Sequence, residues 1–352
     1  MRIAQRELKK FCHLVVNKNE KFALVPRPPD ALEKAALGAK RILSCMVGDT
    51  LALATSKFRI GGYEWHEAEY LQLMAWAEQL GLSPDELLRR LKGEETTIEN
   101  NRFITLRWDV GLLPLSEFRV SQELRLTQLS FVGPGYDLPP SISRISTVAL
   151  PELKRLDCAI VGLKTLATGR MTSLESLECS GNHLKLLDLE PFPNLKTLNC
   201  FINCLTTLNL THVPQLVELD CSDNLIAELD LRSVPNLRRL NCSDNNMQKL
   251  VLRNLPKLVE LDCENSAWDK SAGWGRHLEM LDLRGAPNLT RLNCWDNALE
   301  YLDLRCVPQL EDLNCASNLL TELDIRPLFH LKKLLCDDRT RLIQHPDQHF
   351  KS

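Results

Sequence analysis

The sequence has few aromatic residues, little net charge and no long uninterrupted hydrophobic run. Only 6% of its 352 residues are aromatic, and the formal net charge is -3, which argues against a surface built as a whole for nucleic acid. The longest apolar stretch, Ile42 to Ala54, is broken by Asp49, whereas a membrane helix needs roughly 18 apolar residues. We expect a soluble cytoplasmic protein, with delivery to a host cell without a cleavable signal as the alternative.

Cysteine, in contrast, is abundant and regularly spaced. Nine of the 13 cysteines follow one register, in steps of 21 residues with a single step of 31. They are Cys158, Cys179, Cys200, Cys221, Cys242, Cys263, Cys294, Cys315 and Cys336. Leu, Asn and Pro recur with them, giving the unit Leu-x-x-Leu-x-Cys-x-x-Asn-x-Leu-x-x-Leu-Asp-Leu-x-x-x-Pro-x, whose first Leu is counted below as position 1. Such a unit cannot bury its apolar faces alone, so its copies must stack.

This pattern resembles the leucine-rich repeat family, and the 21-residue form with Cys in its first block and Leu-Asp-Leu in its second is similar to the bacterial subclass called IRREKO. The resemblance covers roughly residues 120–340. It implies a solenoid of stacked parallel strands that serves as a scaffold for protein recognition. The predicted fold class is therefore α+β, with the leucine-rich repeat solenoid preceded by a small, mainly helical N-terminal domain.

We expect four segments along the chain. Residues 1–100 form the mainly helical domain, and residues 101–152 form a linker and a divergent capping repeat in which Phe131 replaces Cys. Residues 153–340 form the solenoid of about nine units, with a ten-residue insertion near 264–277. Residues 341–352 form a C-terminal tail.

Three helices are predicted in the N-terminal domain. The first runs from Ala31 to about Met46 after a capping-box pair, and the second runs from Glu67 to Leu80, with Gly81 as its stop. The third opens with Ser83 and Pro84 and continues to about Leu91. Residues 1–41 hold ten Lys or Arg against four Asp or Glu, so a basic N-terminal segment is also predicted.

The interior of each unit is predicted to hold the cysteines and asparagines. Position 6 points inward beside Leu, where a free thiol behaves as a small hydrophobe, so we interpret these cysteines as core residues rather than metal ligands or redox centres. The recurrent Asn can satisfy backbone groups at the turn and form an internal ladder. Cys200 and Cys204 have a zinc-like spacing but no second pair of ligands. We expect no metal, no cofactor and no catalytic residues.

Two charged rows face outward on the second strand of the unit. Position 15 carries Asp, and position 17 carries a basic ladder of Arg232, Arg253, Arg284, Arg305 and Arg326. The two rows can neutralise each other by ion pairing; the alternative is a basic stripe that binds an acidic partner. Arg253 favours the alternative, because Val251 takes the place of Asp in its unit.

Aromatic residues gather at the insertion, since three of the six Trp lie within 28 residues. Insertions in a solenoid become loops, and Trp, Tyr and Arg are enriched in binding hot spots. The candidate partner-binding residues are Trp268, Trp274, Arg276, His277, Trp295 and Tyr301, with Arg239, Glu260 and Arg291 on the concave face. The alternative is a loop whose tryptophans only pack on neighbouring repeats.

These observations predict a non-enzymatic protein-binding module that recognises a protein partner through the concave face and the Trp-rich loop. The alternative is a bacterial effector or regulatory protein whose basic N-terminal segment contacts nucleic acid or an anionic surface. Mixed charge with amides on the concave face suits a protein better than a phosphate backbone, which favours one sign of charge. The sequence leaves the identity of the partner and the oligomeric state open.

Overall fold

The fold was analysed in a computed structural model of the chain. The described residues are 58–92, 95–133, 142–266 and 278–350, together with two earlier strands, His13–Val16 and Phe22–Val25. The chain divides into two compact units, Met1–Lys57 and Phe58–Ser352. In the first unit the two strands pair antiparallel. The predicted helix from Ala31 to about Met46 lies outside the described residues.

The two other predicted helices are present, as α1 (Glu67–Leu80) and α2 (Pro84–Leu91). α1 ends because Gly81 adopts a left-handed conformation, φ 65°, which suits a residue without Cβ. α2 begins where the Ser83 hydroxyl accepts a hydrogen bond from the backbone N–H of Glu86. No helix in the described part of the chain is long and apolar enough to cross a membrane.

Most of the second unit is a solenoid whose first strands form one twelve-stranded sheet, called here the long sheet. Its parallel strands are Arg102–Asp109, Gln128–Val132, Arg155–Asp157, Ser176–Glu178, Thr197–Asn199, Glu218–Asp220, Arg239–Asn241, Glu260–Asp262, Arg291–Asn293, Asp312–Asn314 and Lys333–Leu335. Thr97–Glu99 pairs antiparallel at the N-terminal edge. From Arg155–Asp157 onward the register pairs each strand with its equivalent 21 residues on, or 31 residues on across the insertion, so like positions stack into rows.

The second strands of the units form a less continuous outer row. Its strands are Glu117–Val120, Arg144–Thr147 and Thr165–Thr168 in one parallel sheet, Lys249–Val251 paired with Met280–Asp282, and Glu322–Asp324 paired with Arg341–Ile343. The structure also has a short antiparallel pair, Arg59–Ile60 with Tyr63–Glu64. Because the outer row lies across the core from the long sheet, its outward side chains form a separate surface.

The core between the two rows is a thin apolar layer in each turn. In the turn that begins at Leu216, the side chains of Leu219, Cys221, Ile226 and Leu231 are buried. The Leu-x-Cys pair of the first strand and the Leu-x-Leu pair of the second therefore point inward, as the period of two predicts.

The N-terminal turns have an aromatic core instead. Trp108 is in register with Phe131 and both are buried, so Trp108 fills position 6 of an additional turn that the sequence pattern missed. The rings of Trp76, Trp108 and Phe118 lie with centroids 4.8–5.3 Å apart. The Trp76 indole N–H donates to the carbonyl of Arg119, which fastens α1 to the first outer strand. We call this aromatic group the cap core.

Candidate functional site

The predicted asparagine ladder is present and joins consecutive turns. The amide nitrogen of Asn224 donates to the carbonyls of Cys200 (3.0 Å) and Cys221 (3.2 Å), and its oxygen accepts the N–H of Leu205 (2.9 Å). The same pattern holds at Asn182, Asn203, Asn245, Asn297 and Asn318. Each Asn thus satisfies buried backbone groups of its own turn and of the turn before it.

The cysteines of the described residues are free, and eight of the nine in-register thiols are buried. The Cys221 thiol lies 3.6 Å from the carbonyl oxygen of Asn241 in the next turn, and burial raises the pKa of this thiol. Burial likewise raises the pKa of Cys294 to about 12. Neutral, enclosed thiols are poor nucleophiles and poor metal ligands, which favours the interpretation of these cysteines as core residues.

Cys336 departs from the prediction that all nine in-register cysteines are core residues. It is only half-buried, because its strand, Lys333–Leu335, is the last of the described strands at the C-terminal edge of the long sheet. Cys204 and Cys306 are also half-buried.

The outward face of the long sheet carries charges that pair across neighbouring turns. At position 3, Arg239 forms an ion pair with Glu218, and Arg291 forms one with Glu260. The ammonium of Lys333 lies 3.6 Å from the carboxylate of Asp312. This face therefore presents alternating paired charges rather than one sign, and it includes the predicted concave-face residues.

Position 5 of the same face supports the backbone, a role that the sequence analysis missed. One side-chain oxygen of each residue accepts the backbone N–H two residues later, at 3.1–3.4 Å, at Asp157, Glu178, Asn199, Asp220, Asn241, Asp262, Asn293 and Asn314. Asp, Asn and Glu recur here because the strand must turn immediately after position 6. A recurring Asx residue two positions before a turn is the signal that could have revealed this role.

The outward face also contains a shallow depression of about 540 Å³, lined by strands from Thr197–Asn199 to Lys333. Asp220 and Asp262 line it, and the carboxylates of Asp223 and Glu264 lie close to them. Burial, followed by the nearby charges of Asp220 and Glu264, raises the pKa of Asp223. Burial and the Glu264 charge also raise the pKa of Asp262. A positively charged partner group beside these carboxylates would relieve the mutual repulsion.

Ion pairing within single turns accounts for four members of the basic ladder. The Arg232 guanidinium forms a fork of two hydrogen bonds with the carboxylate of Asp230: Nε lies 3.0 Å from Oδ1 and Nη2 lies 2.6 Å from Oδ2. The same fork joins Arg284 to Asp282, Arg305 to Asp303 and Arg326 to Asp324. The predicted self-neutralised surface is therefore correct for these four turns, and Arg253 is the exception.

The aromatic candidates fall into different places. Trp295 is half-buried just after the strand Arg291–Asn293, whereas Tyr301 is 68% exposed in the outer row. The two therefore belong to different surfaces. The other four candidates, Trp268, Trp274, Arg276 and His277, lie outside the described residues.

Within the residues that the structure describes, no group of three or more His, Cys, Asp or Glu could hold a metal ion. The fold is that of a leucine-rich repeat solenoid. No protein-family model and no curated protein matches the chain.

Among solved structures, the functional domain of InlJ from Listeria monocytogenes, described as including a cysteine ladder, is 25% identical, with a TM-score of 0.51. The match covers 67% of this chain and 54% of that one, so the chain spans about half the length of InlJ's described domain. An internalin, InlF, from the same organism is 15% identical over 78% of this chain and 89% of its own, with a TM-score of 0.43. A leucine-rich repeat protein from Leptospira interrogans is 18% identical over 62% and 73%, with a TM-score of 0.40.

Proposed function

We propose that the chain is a non-enzymatic protein-binding module whose docking surface is the outward face of the long sheet. The observation that carries this proposal is the pattern of opposite charges at position 3, including Glu218 with Arg239 and Glu260 with Arg291. Alternating charges discriminate among proteins by register, whereas a nucleic acid backbone is best met by one sign. We also assign the repeat to the 21-residue IRREKO type.

Two features of the long sheet favour binding over catalysis. The position 5 carboxylates and amides already accept backbone N–H groups, so they are held in place rather than poised to transfer protons. The in-register thiols of the central turns are buried and neutral. We further propose that the insertion near 264–277, with Trp268 and Trp274, contributes to the same contact.

A charge swap tests the proposal without removing an ion pair. Glu218→Arg combined with Arg239→Glu keeps the pair but reverses its direction on the long sheet, and Asp303→Arg combined with Arg305→Asp is the matched swap on the outer row. Partners captured from native cells would be quantified by mass spectrometry, with thermal melts to verify folding. We expect the first swap to weaken capture about tenfold, as for a central hot spot, and the second to leave it unchanged.

Equal capture by both folded swaps and the wild type would contradict docking on the long sheet. The loop is tested separately by Trp268→Ala combined with Trp274→Ala. Unchanged capture by this double variant would remove the loop from the proposal while leaving the long sheet in it.

A further inference from the structure

The outer row shows how an Arg at position 17 is satisfied in this protein. In four turns its guanidinium holds the carboxylate of the Asp two residues earlier through two parallel hydrogen bonds, at 2.6–3.0 Å. That planar fork matches a carboxylate in geometry as well as charge. The local backbone of the turn therefore aims the guanidinium at one defined point above position 15.

In the turn Lys249–Arg253 an Arg is present at position 17, but no Asp stands at position 15. Val251 stands at position 15, and the exposed Arg253 forms no ion pair or side-chain hydrogen bond with any described residue. The carboxylates of the two adjacent turns are already engaged, since Asp230 is held by Arg232 and Asp282 by Arg284. Lys249, two residues before Val251, likewise forms no ion pair with the described residues.

Open space lies beside this turn. A depression of about 600 Å³ separates it from the preceding turn, because Lys249–Val251 pairs with the following strand, Met280–Asp282, and not with the preceding turn. Lys249, Val251 and Arg253 line one side, and the paired Asp230 and Arg232 line the other. Glu228 also lines the depression, which makes it unfavourable for a doubly charged anion.

We propose that this depression is a second docking site, in which Arg253, assisted by Lys249, binds a carboxylate from an acidic segment of a partner protein. The partner's carboxylate meets the Arg253 guanidinium and takes the role that the Asp carboxylate has in the four paired turns. The site lies across the core from the long sheet, so it goes beyond the proposed function and does not depend on it.

The decisive variant is Val251→Asp, which supplies the missing carboxylate within the chain. The probe is a short, fluorescently labelled peptide of alternating Glu and Asp, and binding is followed by fluorescence anisotropy at low salt. The matched control is Asn209→Asp, since Asn209 also stands at position 15 but Thr211 takes the place of Arg in its turn. Both variants add the same charge to the same surface. We expect Val251→Asp to weaken binding about fivefold more than Asn209→Asp.

Removing the carboxylate from a paired turn should free a second Arg to bind the peptide. Asp230→Val releases Arg232 at the opposite side of the depression, whereas Asp188→Val removes an equal charge from a turn with Glu190 at position 17. Both lose the backbone hydrogen bond that the Asp accepts. We expect Asp230→Val to bind the acidic peptide about threefold more tightly than Asp188→Val.

Several results would overturn the proposal. They are equal weakening by Val251→Asp and Asn209→Asp, equal binding of a peptide of alternating Gln and Asn, or undiminished binding by Arg253→Gln. Displacement of the peptide by inorganic phosphate but not by acetate would identify a phosphate site instead. The charge swap at Glu218 and Arg239 should leave peptide binding unchanged, so failure here and failure of docking on the long sheet can be told apart.

Discussion

Residues 58–132 and residues 153–320 bury their apolar side chains in different ways. The first region uses a single set of large rings, in which Trp76, Trp108 and Phe118 pack edge to face or stacked. The second uses the same small contact many times, with one layer of Leu and Cys in each turn. The first region therefore depends on a few large contacts, whereas each thin layer of the second depends on the layers stacked next to it.

The largest effect is expected from Trp108→Ala in the cap core. This substitution removes a fully buried ring that contacts two others, so the free energy of unfolding should fall by about 3–5 kcal/mol. Chemical denaturation followed by circular dichroism measures the change. Trp295→Ala is the control, because that ring is half-buried in the repeat region, and its cost should be clearly smaller. Equal costs would remove the distinction between the two regions.

The next largest effect is expected from Asn224→Ala, which tests the repeat region. The substitution removes the side-chain acceptor of the buried Leu205 N–H and one of the two Asn donors to each of the Cys200 and Cys221 carbonyls, which keep their bonds from Asn203 and Asn245. The expected loss is on the order of 2–4 kcal/mol, since one unsatisfied buried group costs about 1–3 kcal/mol and each further lost hydrogen bond about 0.5–1.5 kcal/mol. Asn236→Ala, at a half-buried Asn whose hydrogen bond to the Pro214 carbonyl is open to solvent, is the matched control and should change stability little. A similar loss in both variants would contradict the structural role of the ladder.

Thiol reactivity gives a smaller, residue-resolved test. In the folded protein Cys204, Cys306 and Cys336 should react with a thiol reagent, and the eight buried cysteines should react only after unfolding. Mass spectrometry of labelled peptides distinguishes them. Rapid labelling of Cys221 in the folded state would contradict the packing of the repeat core.

The raised thiol pKa values also predict how stability depends on pH. The pKa of Cys294 is about 12 in the folded chain because of burial, whereas a thiol in the unfolded chain titrates near 8.5. The unfolded state therefore releases this proton first, so stability is fully retained below about pH 8.5 and falls as the pH rises toward 12. Denaturation at a series of alkaline pH values measures the loss, and Cys294→Ala should reduce the slope.

The smallest effect is expected on the outer surface, outside both cores. Arg232 holds the pKa of Asp230 at about 2, and Arg284 holds that of Asp282 at about 2. Arg232→Gln should return the pKa of Asp230 toward its ordinary value and leave that of Asp282 unchanged, as measured by carboxyl NMR titration. The contribution of the pair is present above about pH 4 and is lost as the pH falls through 2. Because the pair is exposed, the stability at neutral pH should hardly change.

The repeat region was predictable because its physical requirements recur at a fixed spacing. Leu219, Cys221 and Asn224 have equivalents in most turns, so the structural role of each could be inferred from many copies of the pattern. The helices α1 and α2 were predictable for a local reason, since Gly81 ends the first and Ser83 with Pro84 begins the second.

Features that depend on one residue or on distant partners were harder to predict. Trp108 takes the place of Cys in an additional turn, but nothing local marks it, because only pairing with Gln128–Val132 places it beside Phe131. The role of position 5 was missed because Asp and Asn on an outward row suggest a binding surface as readily as a backbone cap. Trp295 and Tyr301 are close in sequence, yet they lie in different rows because the chain turns from the first strand of the unit to the second between them.

The asparagine ladder also has a direction. The oxygen of Asn224 accepts an N–H from the turn before it, and the nitrogen of Asn224 reaches a carbonyl of that turn, so each turn is completed by the next one along the chain. During synthesis, which proceeds from the N-terminus, a newly made turn therefore keeps open backbone groups until 21 more residues have left the ribosome. We expect folding of the solenoid on the ribosome to advance one turn at a time, always one turn behind synthesis.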